Sequence, residues 1–161
     1  MGVYNVHERV LPVPEAEAGL LIDGLSGRDD RLWPGGHWPP MLLDGPLAPG
    51  TAGGHGSWVR YTVAAYVPGR WVRFTFSGPR GFDGFHEYTV HPLGPDRTLL
   101  RHTLAMRARG TARLTWPLAF RHFHDAVLED SLDRAERVCT GTVARPARWN
   151  RYVRLLRRLA R

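Results

Sequence analysis

The chain has 161 residues, 43% of them hydrophobic, and a formal charge of +7. That is one domain with a core of its own rather than a disordered chain, and no apolar run approaches the ~18 residues of a membrane span. The single cysteine, Cys139, excludes an intrachain disulfide and any multi-cysteine metal site, and the lack of lysine excludes a side-chain Schiff base with a carbonyl substrate.

The charge is unevenly placed. Residues 1–144 hold 15 Arg and 15 acidic residues, so the body is neutral, whereas residues 145–161 hold seven Arg and no acid. The high isoelectric point therefore describes a tail. The opening stretch carries early acidic residues and no signal-like apolar core, which makes the cytosol the default compartment.

Residues 3–11 are expected as a strand. PVPEAEAGLLIDGLSG follows as a short helix, with Pro14 near its start, acids in its first turn and Gly24 or Gly27 to end it. RDDRLWPGGHWPP reads as a second short helix or a turn broken by Pro34. MLLDGPLAPGTAGGHG reads as a short strand and a Gly/Pro-rich connection.

The middle of the chain alternates with period two. Around the turn pair Pro68-Gly69, Val67 is expected opposite Arg70, Ala65 opposite Val72, Val63 opposite Phe74 and Tyr61 opposite Phe76. A second hairpin, GFHEYTVHPLGPDRTLLRHTLAM, turns at Gly94-Pro95-Asp96. It sets Val90 opposite Leu100, Tyr88 opposite His102 and His86 opposite Leu104. Both hairpins are half-buried antiparallel pairs with one wet face.

PLAFRHFHDAVLEDSLDRAERVCTG predicts a helix from Pro117 to Cys139, closed by Gly141. Phe120, Phe123, His124, Val127 and Ser131 recur on one face at helical spacing. Arg121, Asp125, Glu129, Asp133 and Arg137 lie off it. At ~1.5 Å per residue such a helix covers the length of a long strand.

The order of strand, two short helices, antiparallel strands and one long C-terminal helix resembles the helix-grip fold. The segments that carry it are NVHERVLPVPEAEAGLLI, VRYTVAAYVPGRWVRFTF, FHEYTVHPLGPDRTLLRHTL and WPLAFRHFHDAVLEDSLDRAERV. On these the chain is similar to the START-like, pollen-allergen-like superfamily, also called SRPBCC, in its polyketide cyclase/dehydrase and lipid-transport branch. The resemblance covers about residues 3–139 and implies an α+β domain. A curved antiparallel sheet would wrap the long helix around a cavity for a hydrophobic or amphipathic small molecule, a lipid among them. The family has no universal catalytic set, so no catalytic residue carries over.

Folded that way, the cavity face collects Tyr61, Val63, Phe74, Phe76, His86, Tyr88, His102, Leu104 and Met106 from the sheet. The helix adds Phe120, Phe123, His124 and Val127. Imidazoles among apolar side chains are either core groups bonded to protein or the polar points of a ligand site. Aldol cyclisation or dehydration would use His86 or His102 as base and Tyr88 as proton donor. Neither reading requires a cofactor. His122 and His124 lie ~200° apart on a helix and cannot share a metal ion. His86, His102 and His124 could converge on one, but no carboxylate joins them on those faces, so no metal centre is expected.

The tail, residues 142–161, follows the 1–141 domain as a basic amphipathic helix. Trp149, Tyr152, Val153, Leu156, Leu159 and Ala160 share one face, and Arg151, Arg154, Arg157, Arg158 and Arg161 the other. It is expected either to pack back on the domain or to recruit the chain, as a carrier or regulatory module, to an anionic membrane surface or an acidic partner. The neutral body, with no aromatic RNA-binding motif, argues against nucleic acid as a partner.

Overall fold

A computed structural model describes residues 1–56 and 58–160. Seven strands form one antiparallel sheet in the order β1-β7-β6-β5-β4-β3-β2. They are β1 (Gly2–Leu11), β2 (Met41–Leu43), β3 (Ala52–His55), β4 (Val59–Val67), β5 (Trp71–Gly78), β6 (Phe82–Gly94) and β7 (Arg97–Ala108). A continuous helix of 29 residues lies against the sheet. It consists of α2 (Ala112–Thr115), a π-helical turn (Trp116–Phe120) and α3 (Arg121–Thr140). This is the helix-grip α+β fold.

The β6–β7 register is the expected one. Tyr88 stands opposite His102, His86 opposite Leu104 and Val90 opposite Leu100. The β4–β5 hairpin departs from expectation near its turn. Tyr61 meets Phe76 and Val63 meets Phe74, but a bulge at Ala64 then places Ala65 opposite Arg73, Tyr66 opposite Val72 and Val67 opposite Trp71. The Pro68-Gly69 turn forms, with Gly69 at φ 72°; the extra residue between the paired strand ends is absorbed by the bulge. Tyr66 consequently takes the inward position expected of Ala65 and donates its hydroxyl to Asp23 at 2.8 Å.

Between β1 and β2 the described residues form a single helix, α1 (Glu15–Asp23), where two short ones were expected. Gly19 is needed there, because a Cβ would stand 2.3 Å from the Gly69 carbonyl oxygen of the β4–β5 turn. The segment expected as a second helix or a turn is a chain of turns. Asp30 organises it: one carboxylate oxygen accepts from the Leu32 and Trp33 amides at 2.9 and 2.8 Å, the other from the Ser26 amide at 2.9 Å. A carboxylate so occupied replaces the helical bonds these amides would otherwise make.

The long helix begins at Ala112, not at Pro117. Proline lacks an N–H and would break a regular helix, but the π turn widens the ladder there, and Arg121 bonds back to the Trp116 carbonyl. Gly141, at φ 77°, closes the helix as expected.

The charged stripe that lies off the apolar face of the long helix is partly engaged. Between Val3 and Leu11, three successive inward residues of β1 are polar: Asn5, His7 and Arg9 meet Asp125, Glu129, Asp133 and Glu136 of α3. Edge strand and helix are thus joined by a seam of charges.

The tail folds back on the domain as α4 (Arg151–Leu159), with the Asn150 side chain accepting from the Val153 amide at 2.9 Å. Trp149, Val153 and Arg157, spaced by four, face inward. Arg157 was expected on the outer charged side. Its guanidinium instead lies over the rings of Trp38 and Trp149, 4.5 and 4.0 Å from their centroids. Leu155 and Leu159 remain exposed beside Arg151, Arg154 and Arg158.

Candidate ligand cavity

Between the sheet and the long helix lies a cavity of about 290 Å³. Strands β3, β4 and β5 contribute His55, Val59 and Phe76; β6 and β7 contribute Phe82, His86, His102 and Leu104. The long helix contributes Trp116, Ala119, Phe120, Phe123, His124, Val127 and Leu128. The turn segment adds Trp33, Trp38 and Pro39, Trp58 joins from the β3–β4 connection, and the tail adds Arg157 and Ala160. The wall is therefore apolar and rich in aromatic rings, with four imidazoles set into it.

Its aromatic side chains are held from behind. The Trp33 indole N–H donates to the Pro39 carbonyl at 2.9 Å. The indoles of Trp38 and Trp149 both donate to one oxygen of Asp130, at 2.7 and 2.9 Å. His55 stacks on Trp33 with ring centroids 4.0 Å apart and planes 6° from parallel. Its Nε2 lies 3.2 Å from the Tyr61 hydroxyl.

The imidazoles are poorly provided with partners. His86 and His102 are 8% and 2% exposed. His102 Nε2 and His86 Nδ1 are 3.3 Å apart, while His86 Nε2, His102 Nδ1 and both nitrogens of His124 have no hydrogen-bond partner. A neutral imidazole has one N–H and one lone pair. Whichever ring donates in the His86–His102 bond, the pair is left with one free donor and one free acceptor. A buried polar group without a partner costs about 1–3 kcal/mol, which a ligand that bonds to it recovers.

All four rings are neutral near pH 7. Burial pushes His55 down to about 3, and holds His86, His102 and His124 below the ordinary value, with the other imidazoles adding to the effect. His7, outside the cavity, behaves oppositely. Burial works against its charge, but bonds to Asp125 and Glu129 prevail and raise it to about 9.

Of the residues proposed from sequence, the structure places Phe76, His86, His102, Leu104, Phe120, Phe123, His124 and Val127 on the cavity wall. It sets Tyr61, Val63, Phe74, Tyr88 and Met106 behind that wall, in the packed core. The Tyr88 hydroxyl is 2.9 Å from Ser131 Oγ, and Ser131 in turn donates to the Leu32 carbonyl at 3.0 Å. That phenol is a satisfied core group, set back from the space where a substrate would lie. His55, Trp33, Trp38 and Trp116 were not foreseen. Trp116 carried a signal, since it precedes Phe120 by four and His124 by eight; taking Pro117 as the helix start concealed it. His55 carried little, because β3 is Ala-Gly-Gly-His, a composition of low strand propensity.

No protein-family model matches the chain, and no curated protein matches it in sequence. Solved structures match it in fold. Norcoclaurine synthase from Thalictrum flavum, in complex with dopamine and hydroxybenzaldehyde, is 14% identical with a TM-score of 0.64, covering 86% of this chain and 87% of its own. CalU16 from Micromonospora echinospora is 12% identical with a TM-score of 0.62, covering 97% and 82%. A conserved protein of unknown function from Enterococcus faecalis is 14% identical with a TM-score of 0.64, covering 99% and 85%. At these identities the likeness is one of fold, and it is the helix-grip fold of the START-like, SRPBCC superfamily that the sequence resembles.

Proposed function

We propose that the protein binds a compact, largely aromatic small molecule bearing a hydroxyl or carbonyl group. The observation that carries this is the set of neutral imidazole nitrogens, without hydrogen-bond partners among the described residues, in a wall otherwise built mainly of aromatic and aliphatic side chains. Apolar walls supply most of the binding free energy, and a few convergent polar points fix orientation. A volume near 290 Å³ is small for such sites and suits a fused-ring molecule better than a long acyl chain. The norcoclaurine synthase complex supports the reading, since a protein of the same fold there holds two small aromatic compounds.

A second reading turns the same molecule over. If His102 takes a proton at its free nitrogen and His86 releases one from its own, the bond between them reverses and the pair returns to neutrality. Such a relay could serve cyclisation or dehydration without a cofactor, His86 and His102 exchanging the roles of acid and base.

Isothermal titration of the full-length chain with 2-naphthol and with naphthalene tests the binding reading. Naphthol is expected to bind about tenfold more tightly, the worth of one good hydrogen bond. Equal affinities, or no binding of either, would remove the imidazoles from recognition. Native mass spectrometry of the purified chain would identify a retained natural ligand, and conversion of that compound on incubation would favour the catalytic reading.

A further inference from the structure

Behind the cavity wall, at the seam between β1 and α3, three metal-ligating side chains converge: His7, His124 and Asp125. Their donor atoms all lie within 4.8 Å of one another. His7 Nε2 is 3.2 Å from Asp125 Oδ1, and His124 Nδ1 is 3.8 Å from the same oxygen. Ligands around an ion with bonds of about 2.0–2.2 Å stand roughly this far apart.

Three further features favour a cation over a simple ion pair. His7 Nδ1 is 2.7 Å from Glu129 Oε1. A carboxylate that takes the Nδ1 proton fixes the tautomer and aims Nε2 outward, which is how metal-bound imidazoles are commonly held. Both His124 nitrogens are buried without a hydrogen-bond partner, although the ring sits beside a carboxylate. Asn5 donates its amide to Asp125 Oδ1 at 2.9 Å, while its own Oδ1 is buried and unpartnered. A half-turn of that carboxamide would present the oxygen to an ion in place of the donor.

We infer that His7, His124 and Asp125 form a site for one divalent transition-metal ion, with Asn5 as an additional oxygen ligand and Glu129 as the positioning residue for His7. Two imidazoles and a carboxylate favour zinc and its neighbours over calcium or magnesium, which prefer all-oxygen shells. The ion takes the place of the proton that His7 Nε2 directs at Asp125, and that proton leaves to solvent. The Nδ1 proton stays with Glu129. His124 belongs also to the cavity wall, so an ion would fix a ring that a cavity ligand touches.

The test uses the untagged full-length chain, stripped with chelator and titrated with Zn2+ by calorimetry and with Co2+ by visible absorption. One equivalent should bind, with a cobalt spectrum of low-symmetry nitrogen and oxygen coordination. Asp125→Asn and His124→Ala should each weaken Zn2+ binding more than a hundredfold, and Glu129→Gln by about 10–100-fold. His91→Ala, at an exposed position on β6, should bind as the parent does. Circular dichroism of each variant separates lost ligation from lost folding, and Asp125→Asn keeps the shape of the side chain it replaces. Zinc held only at millimolar concentration by the parent, or equally well by the parent and a folded Asp125→Asn, would show that the three side chains form an ion-pair seam and nothing more.

Discussion

Two ends of one short stretch of the inner sheet face, a filled end at Tyr88 and a hollow end at His86 two residues away on β6, solve the same problem differently. At one end the buried Tyr88 hydroxyl meets Ser131, which donates to the Leu32 carbonyl, and every polar atom in that chain is bonded. At the other end, one alternation along β6, His86 meets His102, which reaches across from its place opposite Tyr88; the two share a single contact and leave a nitrogen each without a partner among the described residues. The first end is filled by side chains; the second borders a cavity of about 290 Å³. Buried polar groups thus act as structural links where their partners are protein, and as recognition points where the partner is missing.

The largest separation of the two ends should come from truncation. Tyr88→Ala empties a packed site and should cost about 3–5 kcal/mol in urea unfolding. The same substitution at Phe120, whose ring already borders empty space, should cost clearly less. Equal losses would mean that the hollow end is as tightly packed as the filled one.

Ser131→Ala should cost about 1–3 kcal/mol, because it leaves both the Tyr88 hydroxyl and the Leu32 carbonyl unpaired in the core. Urea unfolding measures it. A neutral result would imply that Tyr88 finds another partner and that the filled end is less constrained than its geometry suggests.

Of the two ends, acid should act on the hollow one; outside them the seam carboxylates Asp125, Glu129 and Glu136, held below their ordinary range by bonds to His7, Arg9 and the Ala144 amide, add a loss of their own toward pH 4. In the folded chain burial lowers His55 to about 3 and holds His86 and His102 well below the ordinary imidazole value of 6.5. The unfolded chain therefore binds more protons below pH 6.5. The stability these neutral rings contribute is present above 6.5 and is lost as pH falls, by up to about 1.4 kcal/mol per pH unit for each ring. Thermal melts from pH 7 to pH 4 should show the loss, and His86→Phe should make it shallower. An unchanged slope would place the titrating groups elsewhere.

The smallest effect concerns the cover over the hollow end. A chain ending at Ala144 loses Arg157 and Ala160 from the cavity wall, so naphthol affinity should fall a few-fold in calorimetry while the sheet persists. The exposed Leu155 and Leu159, beside three outward arginines, suit an anionic surface. The full chain should therefore bind anionic vesicles at low salt better than the shortened one. Equal vesicle binding would confine the tail to covering the cavity.

The filled end was largely legible in the sequence, because period-two alternation and a Pro-Gly or Gly-Pro-Asp turn fix which residues of a hairpin share a face. The Tyr88–His102 and His86–Leu104 pairs follow from that alone. Faces alone did not reveal which side chain of a cross-strand pair reaches the cavity: Tyr61, Phe74 and Tyr88 stand opposite Phe76, His86 and His102 on the concave face but pack into the core. The bulge at Ala64 also escaped the pattern, since both Ala65 and Tyr66 are acceptable inward residues. The turn segment was opaque because Asp30, a side chain bonding to nearby amides, shapes it rather than any repeat. That segment and the tail bring Trp33, Trp38 and Arg157 to the cavity through contacts distant in sequence, which no local spacing encodes.

The central claim is that His86 serves recognition where Tyr88 serves stability, and a pair of near-isosteric substitutions tests it directly. Urea unfolding and 2-naphthol calorimetry would be run on His86→Phe and Tyr88→Phe side by side. His86→Phe should leave stability within about 1 kcal/mol of the parent, since the unpartnered His86 Nε2 it removes offsets the His102 Nε2 it deprives of a partner, and should abolish the preference for naphthol over naphthalene. Tyr88→Phe should lose about 1 kcal/mol and keep that preference. The reverse pattern, with stability lost at His86 and selectivity lost at Tyr88, would contradict the account.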